Sequence, residues 1–118
     1  MKSHYLRTIV AVTGALALCT MPALAQWPNK PIRIIVPFPA GGPTDITARV
    51  LAEGLGRVLK QQVVVENKPG AGGSIGADFV AKSKPDGYTI GIGGAGPNAI
   101  VPNVDPNLPY NPTRDFEA

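Results

Sequence analysis

Hydrophobic positions change period several times along the chain, and each change marks an element. The run "PIRIIVPF" (31–38) is apolar at nearly every position and rich in β-branched residues, as in a strand buried on both faces. From Pro43 to Leu59 the period lengthens to that of a helix, with Ile46, Val50, Leu51, Leu55, Val58 and Leu59 on one side. Its start is coherent: Gly42 as N-cap, Pro43 at the first helical position and Asp45 in the first turn. "QVVVE" (62–66) reads as a second buried strand and "NKPGAGG" (67–73) as a loop. Ser74 to Lys82 carries Ile75, Phe79 and Val80 at helical spacing, "KPDG" (84–87) is a turn, and "YTIGI" (88–92) is a third strand. Strands alternating with helices predict an α/β fold, a βαβαβ unit on a parallel sheet with right-handed crossovers. After Gly93, Pro97, Pro102, Pro106, Pro109 and Pro112 exclude a long helix or a central strand.

The N-terminus has a different pattern. A basic start (Lys2, Arg7), an apolar stretch from Thr8 to Cys19 and "ALAQ" at 23–26 form the three parts of a secretory signal, with cleavage predicted after Ala25. The apolar stretch is shorter than the roughly 20 residues that span a bilayer. Cys19 follows the bulky Leu18, where lipoprotein signals usually carry a small residue, and so belongs to the discarded peptide.

Removing residues 1–25 changes the chemistry on offer. The remaining 93 residues hold nine Lys or Arg against eight Asp or Glu, so the net charge falls from +3 to +1. Nothing in that balance suggests a nucleic-acid partner. His4 and Cys19 leave with the signal, which excludes disulfides and removes the usual base and metal ligands. A chain of this length makes at most one small domain.

Two motifs look catalytic and fail on context. "GIGGAG" (91–96) matches G-x-G-x-x-G after a strand, but a dinucleotide site also needs a helix of useful length, which Pro102 and Pro106 prevent, and a strand-end acid. "GGSIG" (72–76) matches the nucleophile elbow, yet no His is left to serve as base, so Ser74 reads as a helix cap behind a glycine turn. Asp78 and Asp86 lack the spacing of a calcium loop and read as surface charges. No cofactor and no metal are expected.

What remains is a set of glycine pairs at helix starts, Gly41-Gly42, Gly72-Gly73 and Gly93-Gly94, each after a predicted strand. That edge of an open parallel sheet is where ligands bind. Without side chains the backbone N–H groups can approach a ligand closely, and a helix N-terminus adds partial positive charge, which suits an anion such as a carboxylate. The same glycines also suit ordinary tight turns, and the residues alone leave both readings open.

"PIRIIVPFPAGGPTDITARVLAEGL", "VVVENKPGAGGSIGADFVAKSKPDGYTI" and "LPYNPTRDF" resemble the substrate-binding proteins of tripartite tricarboxylate transporters, the Bug family, from about Trp27 to the last residue. The resemblance implies a periplasmic solute receptor, not an enzyme, built of two α/β domains that close on a small carboxylate or related solute. It implies delivery of that solute to an inner-membrane permease, with signalling as another use, and a monomer. By the same resemblance, Phe38, Pro39, Ala40, Gly41, Gly42, Pro43, Thr44 and Asp45 form the first carboxylate-gripping loop, where Asp45 orders waters or meets a polar part of the ligand. Gly73 and Ser74 match the second loop facing the cleft. Gly94 and Ala95 complete the site, without the hydroxyls that many relatives carry there.

The family pattern continues well past residue 118, so residues 26–118 are expected to be the incomplete N-terminal part of a first periplasmic-binding-protein-like domain, truncated before the second. The competing expectations are a nucleotide-binding enzyme fragment using the 91–96 stretch, or a truncated product without function.

Overall fold

The computed structural model describes residues 26–117, and the predicted signal segment, 1–25, lies outside them. β1 (Ile32–Val36) takes the middle of the sheet because it is apolar on both faces: Ile32, Ile34, Ile35 and Val36 are all fully buried. β2 (Val63–Asn67) and β3 (Thr89–Gly91) flank it in the order β2-β1-β3, both parallel to it. The register places Ile34 beside Val65 on one side and Ile90 on the other.

The two crossover helices lie on opposite faces. α1 (Pro43–Leu59) joins β1 to β2 and sets Ala48 and Ala52 against Ile34 and Val36, with Phe38, Leu55, Val63, Val65 and Ile92 packed around them. α2 (Ser74–Ala81) joins β2 to β3 and covers the other face of β1, where Gly76 meets Pro37 and the Arg33 guanidinium stands 5.4 Å from the Phe79 ring centroid. Moving outward from β1 in both directions with crossovers of one hand demands this two-sided arrangement.

Beyond β3, Pro97 opens one wide helical turn, Gly96–Ile100, which passes into the four-residue α3 (Val101–Val104) and stops before Asp105. The proline-rich remainder folds back through Tyr110, whose hydroxyl donates to the Pro97 carbonyl at 2.6 Å and whose ring meets Phe116 edge-on.

Three expectations need correction. α1 buries only part of the face predicted for it: Leu55 packs against the core and Leu59 is half-buried, but Ile46, Val50, Leu51 and Val58 are 57%, 69%, 48% and 77% exposed, while Asp45, Ala48 and Ala52 point inward. Helical period finds an apolar stripe but cannot choose between two, and the small alanines let this helix lie close to the sheet. β2 is a half-buried edge strand among the described residues, with Val64 40% exposed, because only β1 pairs with it. Ser74 does not cap α2: Gly73 is the N-cap, no side chain bonds there, and Ser74 is the first helical residue.

Candidate functional site

The strand ends dictate where the glycine loops go. Because β1, β2 and β3 run parallel, the segments that follow them all leave from one edge of the sheet. Backbone bonds tie those exits to β1: Lys68 N–H donates to the Val36 carbonyl at 2.8 Å, and Ile92 N–H to the Ile35 carbonyl at 3.0 Å.

The loops then meet. A Cβ built on Gly73 would lie 3.2 Å from the Pro97 ring and 3.5 Å from Pro37, so this one residue touches the loops after β1 and β3. Its φ of +98° is a further reason for glycine there. A Cβ on Gly96 would stand 2.9 Å from the Gly72 carbonyl, and one on Gly94 would reach the Phe38 ring at 3.6 Å. The last glycine of "GGSIG", Gly76, is equally constrained: a Cβ there would lie 2.8 Å from Pro37 and 3.0 Å from the Lys68 carbonyl. The elbow-like spacing thus serves close packing of α2 on the first loop.

The first loop is shaped from beneath. Asp45 is 2% exposed, and three donors converge on its carboxylate. Gly41 N–H donates at 2.8 Å and Arg49 Nε at 3.0 Å, both to Oδ2, while Asn67 Nδ2 donates at 3.0 Å to Oδ1. The same Asn67 amide donates to the Phe38 carbonyl at 3.1 Å, and Asn67 Oδ1 accepts from Arg49 Nη2 at 3.4 Å. Gly41 reaches Asp45 by adopting a φ of +82°, which a side chain would strain. The Arg49 guanidinium, then the Gly41 and Asn67 donors, hold the Asp45 carboxyl well below its ordinary value, at about 2. The carboxylate therefore lies under the loop and faces inward.

The expected site residues fall on one edge with graded exposure. Pro39, Ala40, Gly41 and Ala95 are exposed, Phe38, Gly42, Thr44 and Gly94 are half-buried, and Gly73 and Ser74 are buried with Asp45. Two loop N–H groups are already engaged, Gly41 by Asp45 and Gly42 by the Pro39 carbonyl at 3.4 Å. Those of Thr44 and Asp45, in the first turn of α1, have no intrahelical acceptor by the geometry of a helix start. Ser74 Oγ is buried without a hydrogen-bond partner among the described residues. Sequence reasoning missed Arg49 and Asn67. Arg49 carried a signal, the i,i+4 spacing from Asp45, whereas Asn67 is brought in only by strand register.

The segment 91–96 ends in a wide turn and a four-residue helix, which is not the helix a dinucleotide pyrophosphate needs. A cavity of about 830 Å³ lies between α2, β3 and residues 112–117, with Ile35, Ala77, Val80, Ile92 and Phe116 in its wall, and it takes none of residues 38–45. It reaches the glycine loops at Pro37, Gly93, Pro97 and Asn98. Among the described residues no three or more His, Cys, Asp or Glu gather as a metal site, and no helix is long and apolar enough to cross a membrane.

Comparison with known proteins points the same way. The family model described as tripartite tricarboxylate transporter family receptor matches residues 47–118. Protein BugT of Bordetella pertussis is 44% identical over 118 residues, which is 98% of this chain and 36% of BugT. The structure of periplasmic binding protein BugD superposes with a TM-score of 0.73 at 48% identity, covering 77% of this chain and 30% of that one. MatC from Rhodopseudomonas palustris, solved with bound malate, superposes with a TM-score of 0.72 at 38% identity, covering 76% and 31%. The chain thus spans about a third of the length of the curated relatives it matches.

Proposed function

Because the chain belongs to the tripartite tricarboxylate transporter receptor family, we propose that it acts in periplasmic capture of a small carboxylate, as a solute receptor and not an enzyme. Residues 1–25 direct export, and residues 26–118 form the first part of a solute-binding domain that passes its ligand to an inner-membrane permease as a monomer. The observation that carries this reading is the meeting of three glycine loops at one sheet edge beside a Ser74 hydroxyl that is buried without a hydrogen-bond partner among the described residues. A carboxylate set there receives first-turn N–H groups of α1 and the Ser74 hydroxyl, whereas the Gly73 and Ser74 N–H groups are already held by the Gly70 and Ala71 carbonyls. No cation is needed, since amide dipoles and bridging waters satisfy the oxygens. Asp45 contributes by holding the loop that carries Phe38, Pro39, Ala40, Gly41, Gly42 and Thr44. The malate held by MatC supports a small dicarboxylate as ligand class.

The test is a titration followed by amide chemical shifts, with malate set against its neutral diamide. Saturable shifts confined to residues 38–45, 73–74 and 94–95, produced by malate and not by the diamide, support the reading. Equal responses to both compounds, or shifts centred on the cavity beside β3, overturn it.

A further inference from the structure

Asn67 ends β2, yet its side chain reaches across to the loop that follows β1. Its single amide nitrogen donates to two oxygens, the Phe38 carbonyl at 3.1 Å and Asp45 Oδ1 at 3.0 Å. Its own carbonyl oxygen accepts from Arg49 at 3.4 Å. The register explains why this residue and no other can do it: Asn67 pairs with Val36, the last residue of β1, so it stands beside the point where the first loop departs. Lys68 N–H, bonded to the Val36 carbonyl, extends the ladder one step further and fixes that position.

From this geometry we infer that Asn67 is a positioning residue for the ligand loop, a latch that joins the end of β2 to both ends of the segment from Phe38 to Asp45. The inference rests on the reading of that segment as part of the carboxylate site. The latch has two anchor points, Phe38 at the loop's entry and Asp45 at its exit, with Gly41 suspended between them through its N–H to Asp45. An apolar side chain at 67 leaves the Phe38 carbonyl and one Asp45 oxygen without a donor. A carboxylate there sets two acceptors against each other at 3.0 Å. Arg49 is the charged partner that contacts Asp45, and its side chain is half exposed; it holds the loop's exit at Asp45, whereas Asn67 bonds both that exit and the entry at Phe38.

The experiment uses the full chain, with Asn67→Ala and the isosteric Asn67→Asp. Two readouts need no ligand: the Asp45 carboxyl titration followed by carbon NMR, and hydrogen exchange at the Gly41 amide. In Asn67→Ala the Asp45 midpoint rises from about 2 toward 3.8, and Gly41 exchange quickens by about tenfold, the worth of one net hydrogen bond. In Asn67→Asp, the Gly41 exchange rate relative to the same amide in native chain at each pH becomes pH-dependent: the ratio falls back toward one when the new carboxyl is protonated and can donate again. A loss of folding shared by the whole sheet would not produce that reversal. Unchanged Asp45 titration and Gly41 exchange in both variants overturn the latch. Malate titration supplies the third readout. If native chain responds to malate, Asn67→Ala weakens that response several-fold, and an unaltered malate affinity despite a loosened loop overturns the positioning role. Absence of any malate response in native chain fails the carboxylate reading alone, because the first two readouts still decide the latch.

Discussion

At Asp45 a buried carboxylate, two backbone groups and two side chains settle the shape of a loop that has almost no side chains of its own. Its folded titration point, about 2, lies below its ordinary value of 3.8, so the charged form is favoured on folding. The stability it contributes is therefore complete above about pH 3.8 and is lost as pH falls toward 2. Asp45→Asn keeps the shape but turns an amide group toward the Gly41, Arg49 and Asn67 donors. The variant should melt below the native chain at pH 7, with the difference shrinking as pH falls from 4 to 2. A constant difference across that range would show that the carboxylate charge plays no part. Asp86, held down by Tyr88 N–H, and Asp115, held down by Arg114, slope in the same direction, which is why the comparison between variant and native chain isolates Asp45. Gly76 makes a second test at this scale. A methyl group 2.8 Å from Pro37 and 3.0 Å from a backbone oxygen cannot be accommodated without moving α2. Gly76→Ala should cost about 1–3 kcal/mol by urea denaturation. Retention of native stability would mean that the α2–Pro37 contact yields easily.

The elements themselves were mostly legible, because each depended on a local rule. Continuous β-branched residues mark β1, Pro43 after Gly42 marks the start of α1, and the glycines at 70–73 mark the entry to α2. The facing of α1 was not legible. Ile46, Val50, Leu51 and Val58 outnumber Ala48 and Ala52 in apolar area, so a count of hydrophobicity turns the helix away from its true face and keeps only Leu55 against the core. What decides it is distance: alanine permits a close approach to Ile34 and Val36 that a larger residue forbids. Ala52→Leu should then overpack the core and cost about 1–3 kcal/mol, whereas Val58→Lys should lie within about 0.5 kcal/mol of native. The opposite order, measured as urea midpoints, would restore the face inferred from period. Ser74 shows the same limit. A serine behind a glycine turn has the composition of a cap, but Gly73 in the left-handed region takes the cap position and turns the hydroxyl inward. Asn67 was invisible for a related reason, since its partners lie 22 and 29 residues away and are joined only by parallel register.

For the molecule as a whole, the decisive quantity is how much of a ligand one sheet edge can enclose. Good small-molecule pockets bury roughly 70–90% of the ligand surface. Here Pro39, Ala40, Gly41 and Ala95 stand exposed along the rim, so the three loops form a wall and not an enclosure. Two or three amide hydrogen bonds, at about 0.5–1.5 kcal/mol net each and somewhat more to a charged oxygen, must also offset the translational and rotational freedom a ligand loses, about 4 kcal/mol at the least. The surplus is small, and a dissociation constant near 1 mM corresponds to only about 4 kcal/mol. The chain should therefore bind malate, succinate, citrate, glutamate and nicotinate at millimolar strength or weaker. Calorimetry with each compound checks this directly. Saturable micromolar binding to any one of them would mean that these loops close on a ligand more completely than their exposure implies, and that the wall described here is itself a finished site.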